Sequence, residues 1–433
     1  MVRGDAAERC GRPEQGPLSG RCRTAGCLVR APLLVLFALF LFTPLLQAQS
    51  WNRAIFRNDE IEPRDFRFNE EYFLNIFSYQ PPPEWDEAFE ASDKAYLLTA
   101  GSLRSDEFYI REQLRIHLPM VEELHFHYDL LQDEDFDTRY WRQRVALLSP
   151  VHEQWSVYAT GEGTALKEDN DVGIGAIYRR DTHDWWELQL TSVDFNEAKG
   201  KEGRNFPQSA YGLLLANEVP LGEMLHAGAD LQFQLPMTLE DFEGDLTFRY
   251  VKRLYGAHVE WQPGEESSWR LFVTAEDTGK SSTWISTPEE DQDLARNAYR
   301  TGIEHQWTLS ASQPVRCRTG LQYFHFRERS LFPGAPSADE KHERDEYLLF
   351  GGVSVEAWEK IYLVPAVYLE YVSQNELFPT EPDRNERFNG FQGKLSGAIE
   401  WRPRETLRLV INPNIDLDQL QWGGGNVQFI VTF

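Results

Sequence analysis

From Lys94 to the C-terminus the sequence alternates apolar and polar residues in runs of about ten, and no other feature limits the possible folds so strongly. In 108–118 the even positions are mostly apolar, whereas the odd positions carry polar or charged side chains. A period of two indicates β-strands with one apolar face, and about ten residues suffice to cross a bilayer at a tilt. The pattern returns in 124–130, 186–190, 225–235, 347–355 and 391–401.

The connections between these runs alternate between two kinds. The short ones are 119–121, 149–153, 181–184, 220–224, 263–268, 308–314, 358–360 and 402–404. The longer ones are acidic or rich in Gly, Ser and Pro, at 133–137, 164–170, 196–210, 236–244, 278–294, 329–344, 373–388 and 416–424. Short turns at one end and long loops at the other are typical of an up-and-down antiparallel barrel that crosses a membrane. The sequence therefore predicts an all-β transmembrane barrel.

We expect about 18 strands (16–18), a size at which barrels enclose an aqueous channel. The count includes a first strand at Lys94–Leu103 and a hairpin connection at Arg104–Glu107. One region needs interpretation, because the apolar phase switches within Asp245–Gln262. A single strand with a bulge at Lys252–Arg253 would explain the switch, since a bulge adds one residue to the strand.

The chain ends on a strand pattern, with Val427, Phe429, Val431 and Phe433 on one face. This ending resembles that of bacterial outer-membrane β-barrel proteins, and the chain as a whole is porin-like without matching one subfamily. The resemblance implies that the last strand closes the barrel against the first. It also implies that the barrel-assembly machinery recognises this segment as an assembly signal.

Tryptophans lie in or near the short turns. Barrels place amphipathic aromatic rings at the membrane interfaces, where one edge of the ring is in water. The sequence therefore predicts a girdle at the short-turn end. The residues of this tryptophan girdle are Trp155, Trp186, Trp261, Trp269, Trp307 and Trp401.

The N-terminal segment has the features of a secretory signal peptide. Arg30 precedes an apolar stretch at 31–46, and Ala48 provides a small residue for cleavage. A single membrane anchor is the alternative, and a start codon misassigned upstream of Leu28 or Val29 would explain the long 1–30 segment. We expect a signal peptide at 1–48, a periplasmic lead-in at 49–93 and the barrel at 94–433. Export would place the protein in the outer membrane of a Gram-negative bacterium.

Composition excludes several classes. A net charge of −26 argues against nucleic-acid partners. No apolar run of 20 residues follows the N-terminal segment, which excludes a helical membrane protein, and the mean hydropathy of −0.51 suits a barrel with a wet interior. Cys317 is alone in the mature chain, so no internal disulfide is expected. Catalytic motifs of the common hydrolase, metalloprotease and nucleotide-binding kinds are absent, so we expect no enzyme and no cofactor.

Alternation also predicts which side chains face the lumen. An arginine-rich wall would favour anionic solutes, whereas arginines paired with acids would only keep the lumen wet. His125 and His127, with Asp129 or His117, could hold a metal, but strand neighbours are needed for three or four ligands and none is predicted. The candidate lumen residues are Arg111, Arg115, His117, His125, His127, Asp129, Arg142, Arg144, Arg300, Arg316 and Arg318. Glu123, Glu304 and Gln322 share the same face.

Three functions fit this description. The first is a porin-type outer-membrane channel for small anionic solutes, in contact with outer-membrane lipid and lipopolysaccharide. The second is an exporter of acidic polysaccharide, because a barrel of about 18 strands with a basic lumen resembles alginate-export proteins. The third is a non-conducting structural or assembly barrel occluded by residues 51–93. Both a monomer and a trimer are compatible with the sequence.

Overall fold

The structure is a computed structural model of the whole chain. Among the residues it describes, no helix is long and apolar enough to span a membrane. The predicted signal peptide, the 49–93 lead-in and the terminal Phe433 lie outside the described residues. The described residues are 95–103, 108–120, 124–135, 139–164, 171–181, 183–193, 210–241, 243–264, 266–309, 315–380, 382, 385, 387–404, 406–418 and 420–432.

The described residues form 18 β-strands, joined in two places by short 3-10 turns at Pro288–Glu290 and Pro336–Ala338. The first nine strands are β1 (Ala95–Leu103), β2 (Phe108–Pro119), β3 (His125–Asp135), β4 (Arg139–His152), β5 (Trp155–Thr164), β6 (Asp171–Asp181), β7 (Asp184–Val193), β8 (Ala210–Pro220) and β9 (Leu225–Glu240). The others are β10 (Leu246–Gly264), β11 (Ser267–Trp284), β12 (Gln292–Thr308), β13 (Val315–Leu331), β14 (Glu340–Trp358), β15 (Ile361–Leu377), β16 (Arg387–Arg404), β17 (Leu407–Asp416) and β18 (Gln421–Thr432).

Each strand pairs antiparallel with the strands before and after it in the chain. The ends meet as well, because β1 pairs with β18 in a register that sets Leu97 opposite Val431 and Leu103 opposite Gly425. The prediction that the C-terminal strand pairs with the strand near residue 95 is therefore confirmed. Among the 18 described strands none is left with an unpaired edge, so every backbone ladder is continued by a neighbour.

The two faces of this sheet differ in chemistry. One face exposes large apolar side chains such as Leu188, Leu271, Leu349 and Ile399. The other carries buried polar and charged side chains, and we call these the outward and the inward face. Apolar residues that are 44–55% exposed need an apolar surrounding rather than water.

A row of aromatic rings crosses five neighbouring strands on the outward face. Consecutive ring centroids lie 4.8–6.4 Å apart. Beyond this row, towards the long connections, the outward residues become charged, for example Lys341, Glu343 and Arg327. We call the row the tyrosine belt; it consists of Tyr299, Tyr323, Tyr347, Tyr371 and Phe391.

The tyrosine belt and the short-turn tryptophans bound an apolar band. On β16, Phe391 and Trp401 both face outward and lie ten residues apart. With a rise of roughly 3.3 Å per residue and a tilt of about 40°, ten residues span about 25 Å. That height matches the apolar band of outer-membrane barrels.

Strand β10 is single, as predicted, but its bulge was predicted in the wrong place. The register shift is in the pairing with β9, where Tyr250 faces Met237 and Lys252 faces Gln234, so the additional residue belongs to β9. The alternation of β10 is unbroken. Phe248 and Tyr250 pack inward in an apolar cluster, whereas Trp261 is exposed on the outward face. The apolar residues change from the outward to the inward face because β10 extends past the level of the tyrosine belt. Beyond that level the outward side chains no longer belong to the apolar band.

Strand β9 and strands β11–β16 are longer than the sequence indicated. Parts of the predicted loops 236–244, 278–294, 329–344 and 373–388 continue the ladder, so that β11 contains 18 residues and β14 contains 19. Polar residues in these parts pair across strands, as with Arg344 and Gln374 at 2.6 Å. Polarity alone therefore made these strand extensions look like loops.

We predict that Val353→Arg destabilises the fold strongly. Val353 faces outward on β14, about midway between Tyr347 and Trp358. An arginine at the middle of a bilayer costs about 2–4 kcal/mol, against about 0–1 kcal/mol near the interface. Leu377→Arg, at the outer end of β15, is the matched control. Urea titrations in phospholipid vesicles would measure both, and equal costs would contradict an apolar surrounding for the band.

Candidate functional site

The inward face is the candidate site, and the structure describes part of the predicted set on it. The side chains of Arg111, Arg115, His117 and Arg142 lie outside the described residues, although their backbone positions are known. The described members are His125, His127, Asp129, Arg144, Arg300, Arg316 and Arg318.

One row of charges crosses β2 to β5. The backbone register places Arg115 beside Asp129, Asp129 beside Arg144, and Arg144 beside Glu162. The Arg144 guanidinium donates from Nε to Glu162 Oε2 at 2.6 Å, and both side chains are largely shielded from water. The backbone therefore sets positions of opposite charge side by side, and the described end of the row is an ion pair.

A second group lies on β11 to β13 around the buried carboxylate of Glu304. Arg318 donates to its Oε2 at 2.7 Å and Gln322 to its Oε1 at 2.8 Å. Arg300 donates to Gln322 Oε1 at 2.9 Å, so the amide bridges the arginine and the glutamate. Arg270 lies opposite Glu304 in the register of β11 and β12. We call Arg270, Arg300, Arg318, Glu304 and Gln322 the arginine cluster.

Phenylalanine rings hold the guanidinium groups of the arginine cluster. Phe272 lies 5.3 Å from the Arg300 guanidinium carbon and 5.9 Å from that of Arg270. Phe350 lies 5.3 Å from the Arg318 guanidinium carbon. A ring face attracts a cation and limits its rotation. Arg270, Arg300 and Arg318 all act on the Glu304 carboxylate, and Glu260 on β10 lies opposite Arg270 in the register. This group therefore holds three cations against two acids, a local excess of positive charge that attracts anions.

Sequence reasoning missed a network on β14 and β15. Arg344 is fully buried, contacts Glu346, and donates from Nη1 to Gln374 Oε1 at 2.6 Å. Gln374 donates in turn to Glu376 Oε1 at 2.9 Å. These residues occupy alternate positions on their strands, but Arg344, Gln374 and Glu376 fall in segments predicted as loops, so the alternation that identified Arg300 and Arg318 was not applied to them.

Two further ion pairs join β16 to β17 on the inward face, and a third lies within β16. Arg402 donates to Glu400 at 2.5 Å, and Arg408 approaches the same oxygen at 3.9 Å. Lys394 lies 3.9 Å from Asp416. Most of the described basic side chains thus contact acids. This arrangement corresponds to the alternative named in the sequence analysis, in which arginines pair with acids and select no solute.

The inward face is not uniformly polar. Tyr158, Ile177 and Trp185 belong to one buried apolar cluster, and Phe324 and Phe350 belong to another. Strict alternation predicted polar residues at these positions. Cross-strand packing among large side chains stabilises the sheet itself, so the inward face can bury apolar groups as well as ion pairs.

The structure places the predicted tryptophan girdle near the short turns. Trp155, Trp186, Trp261 and Trp401 are exposed on the outward face. On the same face His305 stacks between two tryptophan rings, with centroid distances of 3.9 Å and 4.6 Å. Those two rings belong to the remaining girdle residues, Trp269 and Trp307.

The predicted histidines do not form a metal site among the residues described. His127 lies opposite His117 in the backbone register, and both His127 and Asp129 are buried. No group of three His, Cys, Asp or Glu side chains in the described part of the chain is placed to hold a metal ion.

No family model and no curated protein matches the chain. Solved structures of outer-membrane proteins are similar to it. The channel DcaP of Acinetobacter baumannii has 11% identity and a TM-score of 0.38, over 78% of this chain and 96% of that one. A bacterial polysaccharide outer membrane secretin has 11% identity and a TM-score of 0.36, over 79% and 99%. OccAB2 of Acinetobacter baumannii has 8% identity and a TM-score of 0.37, over 78% and 95%. With likenesses this distant, function has to be argued from the residues themselves.

We predict that Arg344→Met destabilises the fold by about 3–5 kcal/mol, because it leaves the buried Glu346 without its cation. Methionine keeps much of the volume of the arginine side chain, so the loss of stability is due mainly to removal of the charge. Arg316→Met is the control, since Arg316 is exposed and an exposed pair contributes about 0–1 kcal/mol. Urea titration with tryptophan fluorescence would measure both, and a cost for Arg344→Met no larger than the control would refute the assignment.

Proposed function

We propose that this protein is a porin-type channel of a Gram-negative outer membrane that passes small, preferentially anionic solutes. The observation that carries the proposal is the opposite chemistry of the two faces of an unbroken ring of 18 strands. Charged side chains on the inward face require water in the bore. A ring of this strand number is wide enough for an aqueous channel.

The outward face supports a membrane location. On β12–β16 most of its exposed leucines, valines and isoleucines lie between the tyrosine belt and the tryptophan girdle. In a bilayer every backbone donor and acceptor must be paired within the protein, and the ring of strands meets that requirement. With the N-terminal signal peptide and the C-terminal Val427, Phe429 and Val431 pattern, these features favour export and insertion by the barrel-assembly machinery.

The arginine cluster supports a preference for anions. Elsewhere on the described inward face most basic side chains contact an acid, so their fields largely cancel over a Debye length of about 8 Å. In the cluster, Arg270, Arg300 and Arg318 face the carboxylate of Glu304, and the further acid Glu260 lies opposite Arg270. A fixed local excess of charge raises the concentration of the opposite ion in the bore.

The same cluster favours a second candidate, an exporter of acidic polysaccharide. Phe272 and Phe350 lie beside the guanidinium groups. Aromatic faces offer apolar contact to sugar rings, while arginines pair with carboxylates. A block of ion current by acidic oligosaccharide that Arg300→Gln weakens would favour this candidate over a passive channel.

We predict that the full-length protein opens pores on the order of a nanosiemens in planar bilayers at molar salt. Silence that is relieved by deleting residues 51–93 would instead support a barrel occluded by that segment. Silence of both forms, with normal heat-modifiable migration on gels, would contradict channel function and leave a structural or assembly role.

We predict that Glu304→Gln raises the anion-to-cation permeability ratio about two- to five-fold, because it removes the compensating carboxylate of the arginine cluster. The double variant Arg300→Gln/Arg318→Gln should lower the ratio. Glu289→Gln, in the 3-10 turn of an outer connection, removes the same charge away from the cluster and should leave the ratio unchanged. Reversal potentials under a salt gradient measure these ratios, and equal ratios in all four proteins would refute the proposed selectivity.

A further inference from the structure

A groove of about 640 Å³ lies among β9–β13, beyond the tyrosine belt. Val251, Gly279 and Ala295 line it at adjacent positions across three strands. These small side chains leave space between Arg249 on β10 and Arg329 on β13, which also line the groove. All five occupy positions in phase with the outward residues Tyr255 and Tyr299.

The height of the groove fits the headgroup layer of a membrane. Val251 lies four residues beyond Tyr255 along β10, and Ala295 lies four residues from Tyr299 along β12. Four residues of a tilted strand rise by about 10 Å. Headgroups occupy roughly 5–8 Å beyond the hydrocarbon on each side, so the groove lies at the outer edge of that layer, where a glycolipid presents sugars and phosphates rather than acyl chains.

The charge of the groove is opposite to that of the chain. The net charge is −26, yet Arg249 and Arg329 are both exposed in this groove. Arg329 is 4.0 Å from Glu343, the limit of an ion pair, and Lys341 lies beside it in the register. Asp293 is the acidic side chain of the lining. Arginine binds phosphate through two parallel hydrogen bonds.

The distance between the two arginines and the apolar side chains of the groove further limit which ligand can bind. Three strand intervals of about 4.8 Å separate β10 from β13, and Arg249 lies two residues outside the row that joins Val251 to Arg329, so the two arginines are anchored about 16 Å apart. Leu331 and Pro236 provide apolar contact along the groove. A saccharide headgroup with two phosphates can place one phosphate on each arginine.

We propose that this groove binds the phosphorylated saccharide headgroup of a glycolipid in the outer leaflet, and so fixes one lipid against the barrel. The proposal rests on the outer-membrane location argued above. It adds a specific lipid site on the outside of the barrel, separate from the arginine cluster on the inward face.

The test is native mass spectrometry of the detergent-purified full chain with bisphosphorylated lipid A as the probe. We expect the wild type to retain lipid A and Arg249→Gln/Arg329→Gln to retain at least five-fold less. Ala295→Trp should also lower retention, because it fills the groove without changing the charge. Fully dephosphorylated lipid A should bind the wild type no better than it binds the double variant.

Arg180→Gln/Arg404→Gln is the matched control, because it removes two exposed arginines at the short-turn end of the strands. Its retention of lipid A should stay within two-fold of the wild type. Equal retention by the wild type and the Arg249→Gln/Arg329→Gln variant, or equal binding of the dephosphorylated lipid by the wild type, would overturn the proposal.

Planar-bilayer recordings of the same preparations distinguish a failure of the groove proposal from a failure of the proposed channel function. A wild type that inserts and conducts but does not discriminate between the lipids would overturn the groove proposal alone. A wild type that neither inserts nor conducts would overturn the proposed function and the groove proposal with it.

Discussion

The rest of the structure depends on the pairing of β1 with β18, which continues the backbone ladder around all 18 described strands. An open sheet would leave one row of backbone donors and acceptors on each edge strand. In hydrocarbon each unpaired group costs several kcal/mol, because no water can replace the missing partner. Once the ring is closed, side chains rather than backbone decide what each face can contact.

The side chains of one strand then contact two different surroundings, one on each side of the tyrosine belt. On β10, Val259 is exposed outward inside the apolar band and Trp261 at its tryptophan edge, whereas Phe248 and Tyr250 are buried inward beyond the level of the tyrosine belt. The tyrosine belt is where this change occurs, since a tyrosine ring suits both an apolar and an aqueous boundary. Strand length and the height of the apolar band are therefore separate quantities in this protein, because the 19 residues of β10 exceed the roughly ten that would cross a band of that height.

Alternation was sufficient to predict the strand order, the up-and-down connections and the pairing of the first strand with the last, because each depends on local period and turn length. It could not predict the ends of β9 and β11–β16. Polar residues such as Arg344 and Gln374 continue a strand only if each finds its cross-strand partner, and a partner 30 residues away is not visible in local periodicity. The Arg344 network was missed for this reason. The bulge was assigned to β10 rather than β9 because a reversal of the apolar face resembles a shift of phase.

The pairing of inward charges decides how selectivity can arise. A buried arginine such as Arg344 is tolerated only with its acceptors in place, so most of the wall must be close to neutral for the sheet to be stable. A selective field can therefore come only from places where cations outnumber acids and keep contact with water. The arginine cluster meets both conditions, because Arg270 is exposed and Glu304 is its central carboxylate. The proposed selectivity is therefore assigned to a few residues on β11–β13 rather than to the net charge of the chain.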